Sequence, residues 1–336
     1  MGAVIGAGAM TALLNWRRRA RRMDFRGKTV LITGGSRGLG LVLAREFAAA
    51  GARIAICARD LEELERARID LERRGAEVFD AVCDVRNPDE VAELIEDVCA
   101  RFGRLDVLVN NAGVIQVGPL EEQTAADFEN ALAVHFWGPY YAMRAAIPKM
   151  KRAGGGRIVN VASIGGKIAV PHLAPYSASK FALVGLSDAL RAELRKDNIF
   201  VTTVCPGLMR TGSHLNALFK GQNELEFAWF SLGDALPPTS VSAEKAAREI
   251  VAAARAGRAE AIISVPARLG AKINALFPEL TADLAALANR LLPGPGGIGE
   301  DTARGLESTS SVSPSFLTTL IDRAAVRNNE LEPLEN

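Results

Sequence analysis

Short apolar runs alternate along this chain with longer stretches in which apolar positions recur every three or four residues. The runs fall at 28–33, 53–58, 77–82, 105–110, 157–162, 200–205 and 260–265, most of them near-continuous in Val, Ile, Leu and Ala. A strand that is apolar on both faces needs cover on both, which is the condition of a parallel sheet between helical layers. Helical spacing fills the intervals: up to 50, then 60–74, 88–102, 124–151, 175–196 and 242–256. In the second of these Leu61, Leu64, Ala67 and Leu71 make the inward stripe. The pattern predicts an α/β chain with a doubly wound, mostly parallel seven-stranded sheet and helices on both faces.

Past Pro266 the pattern changes. Leu269, Ile273, Leu276, Leu280, Leu284, Leu287 and Leu291 keep helical spacing, and Pro278 divides them into two short amphipathic helices. These could cover a pocket, meet a partner or rest on a membrane. Residues 293–314 are rich in Pro, Gly and Ser and read as a linker, with one last helix at 315–328. Four parts follow: 1–26, an alternating α/β domain at 27–266, an amphipathic extension at 267–292, and a linker and tail at 293–336.

Residues 2–16 carry no charge and are followed by Arg17, Arg18, Arg19, Arg21 and Arg22. A secretory signal has the opposite order, and fifteen residues with three Gly fall short of the roughly 20 apolar residues of a spanning helix. Two readings stand: a short membrane anchor with the Arg run at the cytoplasmic face, or an unstructured start. Either places the chain in the cytoplasm, free or on the cytoplasmic face of a membrane. The net charge of +1 depends on that run. Without it the chain is acidic, which excludes nucleic acid as a default partner. Four scattered Cys and three His offer neither a disulfide framework nor a metal site.

The turn after the first run reads Thr33-Gly34-Gly35-Ser36-Arg37-Gly38-Leu39-Gly40 and opens a helix. Glycines there let backbone approach a pyrophosphate, and a helix N-terminus offers free N–H groups and partial positive charge. About twenty residues on, a carboxylate marks a ribose 2′-hydroxyl and an arginine a 2′-phosphate. The second run ends in Arg59, which with Arg37 makes a cationic pocket, so NADP(H) is expected over NAD(H). The competing reading is Arg59 as a solvated strand end with Asp60 capping the next helix.

Tyr176 and Lys180 lie four apart on one helical face. Free tyrosine, with a pKa of about 10, is a poor acid–base group at neutral pH; a nearby ammonium favours phenolate and lowers that value. Ser163, just after a strand, is placed to hold a substrate oxygen beside the phenol.

The order TGGSRGLG, Cys83-Asp84-Val85, Asn110-Asn111-Ala112-Gly113, Ser163, Tyr176-Ser177-Ala178-Ser179-Lys180 and Pro206-Gly207 resembles the short-chain dehydrogenase/reductase family, over about residues 27–265. The resemblance implies a Rossmann fold with Ser163, Tyr176 and Lys180 as catalytic set. It implies that Asp84, with Val85 beside it, meets the adenine, and that Asn111, Ala112 and Gly113 pack near its ribose. Pro206, Gly207, Met209 and Thr211 face the nicotinamide, and Lys180 holds its ribose. Where the family places an Asn on the long helix, this chain has His135. It either keeps a proton relay to Lys180 or sits as a buried, satisfied side chain.

The resemblance implies that the stretch after Thr211 folds as a lid; its Leu215, Leu218, Phe219, Leu225, Phe227, Trp229, Phe230 and Leu232, together with Ile164, Val170, Leu173, Leu208 and Trp137, suggest an apolar pocket. No Arg or Lys stands out as a carboxylate clamp, Arg210 and Lys220 being the two that could serve. The expected activity is hydride transfer between NADP(H) and a small lipophilic carbonyl or alcohol, in a homodimer or homotetramer. The alternatives are a cofactor-binding sensor with little turnover, or epimerase or dehydratase chemistry. The enzyme reading requires the Tyr176 hydroxyl to face a dinucleotide cleft that side chains do not fill.

Overall fold

The computed structural model describes residues 21–237, 239–310 and 318–331. The apolar anchor expected at 2–16 lies outside them. Seven parallel strands form the central sheet: β1 (Thr29–Thr33), β2 (Arg53–Ala58), β3 (Val78–Val82), β4 (Val107–Asn110), β5 (Gly156–Val161), β6 (Ile199–Pro206) and β7 (Glu260–Ile263). Their spatial order is β7-β6-β5-β4-β1-β2-β3. The order reverses between β4 and β1, where a doubly wound sheet opens a crevice at its carboxyl edge.

The central strands β1, β4, β5 and β6 are buried along their whole length, Arg157 and Asn160 of β5 and Thr202 and Thr203 of β6 included. One face is covered by α1 (Gly38–Ala49), α2 (Leu61–Arg73) and later α8 (Ala243–Ala256). The other is covered by α3 (Pro88–Phe102), α5 (Gly138–Arg152) and α6 (Ala174–Leu194). Local chemistry sets several boundaries. Asp60 accepts from Glu63 N and caps α2; Asn87 and Pro88 open α3; Ser242 accepts from Lys245 N and caps α8.

The stretch expected as one helix at 124–151 is three pieces: α4 (Ala125–Leu132), a π-helical turn (Ala133–Trp137) and α5. Such turns widen a helix locally and often mark functional sites; this one carries His135.

Above the carboxyl edge, Leu208–Arg210 pairs with Ser240–Ser242, and a lid helix α7 (Asn223–Ala235) lies between them in the chain. Pro278 does divide the extension, into α9 (Val265–Leu276) and α10 (Pro278–Asn289). Their leucines turn outward: Leu269, Leu276, Leu280, Leu284, Leu287 and Leu291 are all exposed. The stretch expected as a linker is partly built in, because Ala303–Arg304 pairs antiparallel with Leu218–Phe219 and Ser308 is buried. The last helix, α11 (Thr319–Arg327), returns to the lid and buries Ile321, Ala324 and Ala325.

Candidate active site

Loops leaving β1, β4, β5 and β6 meet at the carboxyl edge. After β1, Thr33 Oγ1 accepts from the backbone N–H of Asn111 and Ala112, both 3.1 Å. The Asn111 amide returns bonds to the carbonyls of Thr33 (3.1 Å) and Gly34 (3.0 Å). These four bonds lock the glycine turn to the end of β4. Gly34 takes a φ of +63°, and a Cβ on Gly40 would overlap the Gly34 carbonyl oxygen, so glycine is required at both. The turn is thus a backbone cradle at the N-terminus of α1, the arrangement that receives a phosphate. It fits an anion by its own contents as well: a carboxylate, that of Glu330, stands over Gly38 with its Oε2 3.4 Å from Arg37 Nε.

The expected arginine pocket is divided. Arg37 Nη1 lies 2.6 Å from Glu63 Oε1, and Ser36 donates to the same carboxylate at 2.9 Å. Arg59 is exposed at the end of β2, and Asp60 is the helix cap. Leu39 and Val85 are buried. Asp84 holds Arg86 Nε at 2.9 and 3.0 Å, and that guanidinium lowers its carboxyl pKa. Along the other wall Pro206 ends β6, Gly207 N donates to Ile263 O, Met209 is half-buried, and buried Thr211 donates to Ser213 at 2.9 Å.

At the catalytic end α6 brings Tyr176 and Lys180 against the tip of β5. Ser163 Oγ accepts from Gly165 N at 3.0 Å, which fixes the rotamer, and the hydroxyl lies near enough to the Tyr176 phenol to lower its pKa. Lys180 donates to Val161 O at 3.0 Å, and its Nζ lies 5.5 Å from the centre of the Tyr176 ring. Desolvation dominates both groups in the protein alone: the phenol is pushed up to about 12 and the amine down to about 7. The expected lowering of Tyr176 by its neighbour is therefore not a property of the apoprotein. Loss of water is the largest influence on the phenol, Ser163 opposes it, and the Asp234 and Cys205 charges add to it.

His135 is brought to the same place, its ring edge-on to Tyr176 with centroids 5.4 Å apart. Both of its nitrogens are engaged. Nε2 accepts from Val114 N at 3.1 Å, so the proton sits on Nδ1, 2.8 Å from Ser179 Oγ. Ser179 in turn donates to Tyr176 O at 2.8 Å. Burial and the nearby Lys180 charge hold the imidazole pKa well below its ordinary value. This geometry fits the satisfied, neutral histidine and leaves no nitrogen for a proton relay.

The lid residues divide as well. Leu215, Phe219, Phe227 and Phe230 are core, whereas Leu208, Leu225 and Trp137 are exposed. Arg210 is tied to the Ser240 carbonyl and hydroxyl, and Lys220 is buried 2.6 Å from Asp127, so neither is a free clamp. Asp234 was not foreseen. It is buried, raised to about 7 by desolvation, and its charge acts on Tyr176. A signal existed, since it shares a helical stripe with Phe227 and Phe230. Nor did the sequence point to residues 328–330, whose polar side chains resemble any solvated tail.

A family model for short chain dehydrogenase matches residues 28–219. The chain is 38% identical over 215 residues to a dehydrogenase/reductase SDR family protein 7-like of Anopheles gambiae, covering 62% of this chain and 67% of that one. It is 34% identical over 281 residues to 11-beta-hydroxysteroid dehydrogenase 1A of Arabidopsis thaliana, covering 82% and 79%. Among solved structures, L-sorbose reductase of Gluconobacter frateurii, complexed with NADPH and L-sorbose, superposes with a TM-score of 0.64 at 28% identity, over 72% of this chain and 97% of that one. The chain belongs to the short-chain dehydrogenase family of oxidoreductases, which work with a nicotinamide cofactor on small molecules.

Proposed function

We propose that this protein transfers hydride between NADP(H) and a carbonyl/alcohol pair on a lipophilic substrate, with Tyr176 as general acid and base. The observation that carries the reading is the convergence of Ser163, Tyr176 and Lys180 beside the glycine cradle. When bound, the nicotinamide supplies or accepts the hydride and brings a positive charge in its oxidised form. The chain's own part is protonic. Ser163 holds the substrate oxygen, Tyr176 Oη passes it the proton in reduction and takes it back in oxidation, and Lys180 anchors the ribose side while favouring phenolate once charged. The preference for the phosphorylated dinucleotide rests on Arg37 and the exposed Arg59, and agrees with the NADPH of the L-sorbose reductase. The apolar lid supports a lipophilic substrate, in keeping with the name of the plant relative.

Purified protein assayed with NADPH and NADH against apolar ketones, aldehydes and alcohols tests this. The expected result is turnover with a higher kcat/KM for NADPH; a preference for NADH defeats the cofactor assignment. The sensor alternative is favoured by one observation, the polar tail residues that fill the phosphate end of the cleft, and predicts binding without turnover. Asp234 gives epimerase or dehydratase chemistry the extra acid–base group it needs, and product analysis separates the two.

The parts proposed at 1–26, 27–266, 267–292 and 293–336 belong to the same reading, as does a homodimer or homotetramer through α4 to α6, with Phe181 exposed on that surface. Among the described residues no helix is long and apolar enough to cross a membrane. Attachment is proposed through residues 2–16 and the outward leucines of α9 and α10. If full-length protein stays out of the membrane fraction, the attachment is wrong; a chain starting at Met23 that stays with the membrane would assign it to α9 and α10 alone.

A further inference from the structure

The cleft that the enzyme reading required to be free of side chains is not free at its phosphate end, where Asn328, Asn329 and Glu330 of the same chain fill it. Past α11, Asn328 places its backbone carbonyl 2.8 Å from Gly38 N, the N–H at the mouth of the cradle. Its side-chain amide donates to Thr211 O at 3.2 Å, on the nicotinamide wall. Asn329 takes a φ of +60°, a left-handed turn that asparagine tolerates. From there its amide reaches the carbonyls of Ser36 (2.9 Å) and Glu63 (3.0 Å), and Arg66 donates to its Oδ1 at 2.9 Å. Glu330 lies against Arg37, takes a 2.8 Å bond from Asn216, and has a side chain only 3% exposed. Leu331 packs on the apolar cluster that also receives Tyr176.

These contacts fall on residues assigned above to the dinucleotide: Ser36, Arg37, Gly38 and Thr211. The tail reproduces what a pyrophosphate would offer there, an acceptor oxygen for the helix N-terminus and an anion for Arg37. The tail occupies both the Gly38 N–H and the space over the turn that a phosphate would need, so tail and cofactor exclude each other. The anchoring also has two grades. Ile321, Ala324 and Ala325 are buried apolar residues, and Ala325 sits tight against Gly212. Residues 328–330 hold chiefly through hydrogen bonds and one ion pair, which water or a phosphate can replace one for one.

We propose that residues 328–331 are an internal competitor of the dinucleotide, a strap that closes the cradle through Asn328, Asn329 and Glu330 and that NADP(H) must expel to bind. The inference rests on the cofactor reading above and adds to it the regulation of the same site. Apparent affinity is the intrinsic affinity scaled by the fraction of molecules with the strap withdrawn. Weakening the strap therefore tightens cofactor binding without touching a cofactor ligand.

Hydrogen exchange on the full chain, titrated with NADPH, tests displacement directly. The expected result is protection of residues 33–40 with faster exchange at 328–331. Protection of 33–40 with unchanged or slower exchange at 328–331 overturns the strap, since the tail would then be a bystander or a clamp on bound cofactor. The second measurement is the NADPH Kd of the full chain carrying Asn329→Ala and Glu330→Ala, which leaves the apolar anchors of α11 in place. A fall in Kd of about tenfold or more is expected for a strap closed nine-tenths of the time; an equal or higher Kd overturns it. Absence of any NADPH effect at 33–40 in both proteins overturns the cofactor reading itself, and the strap with it.

Discussion

The two ends of this cleft are built on opposite electrostatic plans. The catalytic end buries a phenol, an amine and an imidazole and offers them no counter-charge. Water is removed, so each group moves towards its neutral form: Tyr176 to about 12, Lys180 to about 7, His135 well below its ordinary value. The phosphate end instead gathers charge of both signs. Arg37, Arg45 and Arg66 meet Glu63, Asp70, Asn328, Asn329 and Glu330, drawn from three distant parts of the chain. A site tuned by desolvation waits for a charge to arrive before its groups are poised. A site tuned by paired charge already holds one, and a ligand must displace it.

The contrast breaks most readily at the catalytic end. Replacing Tyr176 with Phe removes the proposed proton donor and leaves the packing of the ring in place. Turnover is expected to fall by roughly 100- to 10,000-fold, the span of general acid–base catalysis. The NADPH Kd should change little, because the cradle is untouched. Steady-state kinetics paired with a fluorescence titration read both; turnover within tenfold of wild type puts the proton elsewhere.

At the other end the backbone carries the function. Gly40→Ala forces a methyl group into the Gly34 carbonyl and the Asn111 amide. The turn must open, at a cost of about 1–3 kcal/mol in a urea titration, and cofactor binding should be lost. An alanine variant that keeps wild-type stability and Kd would mean the cradle is loose rather than fitted.

His135→Asn is the gentler test between the ends. Asparagine cannot reach both Val114 N and Ser179 Oγ as the imidazole does, and a buried group left unpaired costs about 1–3 kcal/mol. The pH profile of kcat should keep its shape, because the imidazole is already neutral. A displaced profile restores the proton-carrying role.

Where the sequence was legible follows from what each region uses for cohesion. Unbroken runs such as Val30–Ile32 and Val107–Val109 can be satisfied only between two helical layers, so the seven strands were readable from periodicity alone. Ser163, Tyr176 and Lys180 were readable because their spacing fixes one helical face and one strand tip. The π-helical turn at His135 was hidden because its residues continue a helical pattern. The outward face of α9 and α10 was hidden because periodicity reveals a stripe and not what lies against it. The strap was hidden for a stronger reason. Asn328, Asn329 and Glu330 dock by hydrogen bonds to positions almost 300 residues away, as Asn329 does to Ser36, and no local pattern encodes such pairs.

The pH dependence of stability sharpens the contrast with the smallest effect per step, because each group exchanges one proton and so contributes at most about 1.4 kcal/mol per pH unit. Glu330 is raised from 4.5 to about 7, burial outweighing the pull of Arg37 and Asn216 and aided by the nearby Glu63 charge. Between those values the folded state holds more protons than the unfolded one. The stability this group contributes is complete below pH 4.5 and lost as pH climbs through about 7. Lys180 is lowered from 10.5 to about 7. Across that window the folded state holds fewer protons, so its penalty is absent above pH 10.5 and grows as pH falls. Other groups titrate in the same range, which makes differences between variant and wild type the informative quantity. The gain of Glu330→Gln over wild type should be nil near pH 4 and largest above pH 7. That of Lys180→Met should be largest at or below pH 7 and fade towards pH 10.5. Thermal or urea midpoints taken every half unit give both curves. Mirror-image slopes are what desolvation of a buried acid and a buried base produces at both ends of the cleft, and curves running the same way would mean that something other than burial governs one of them.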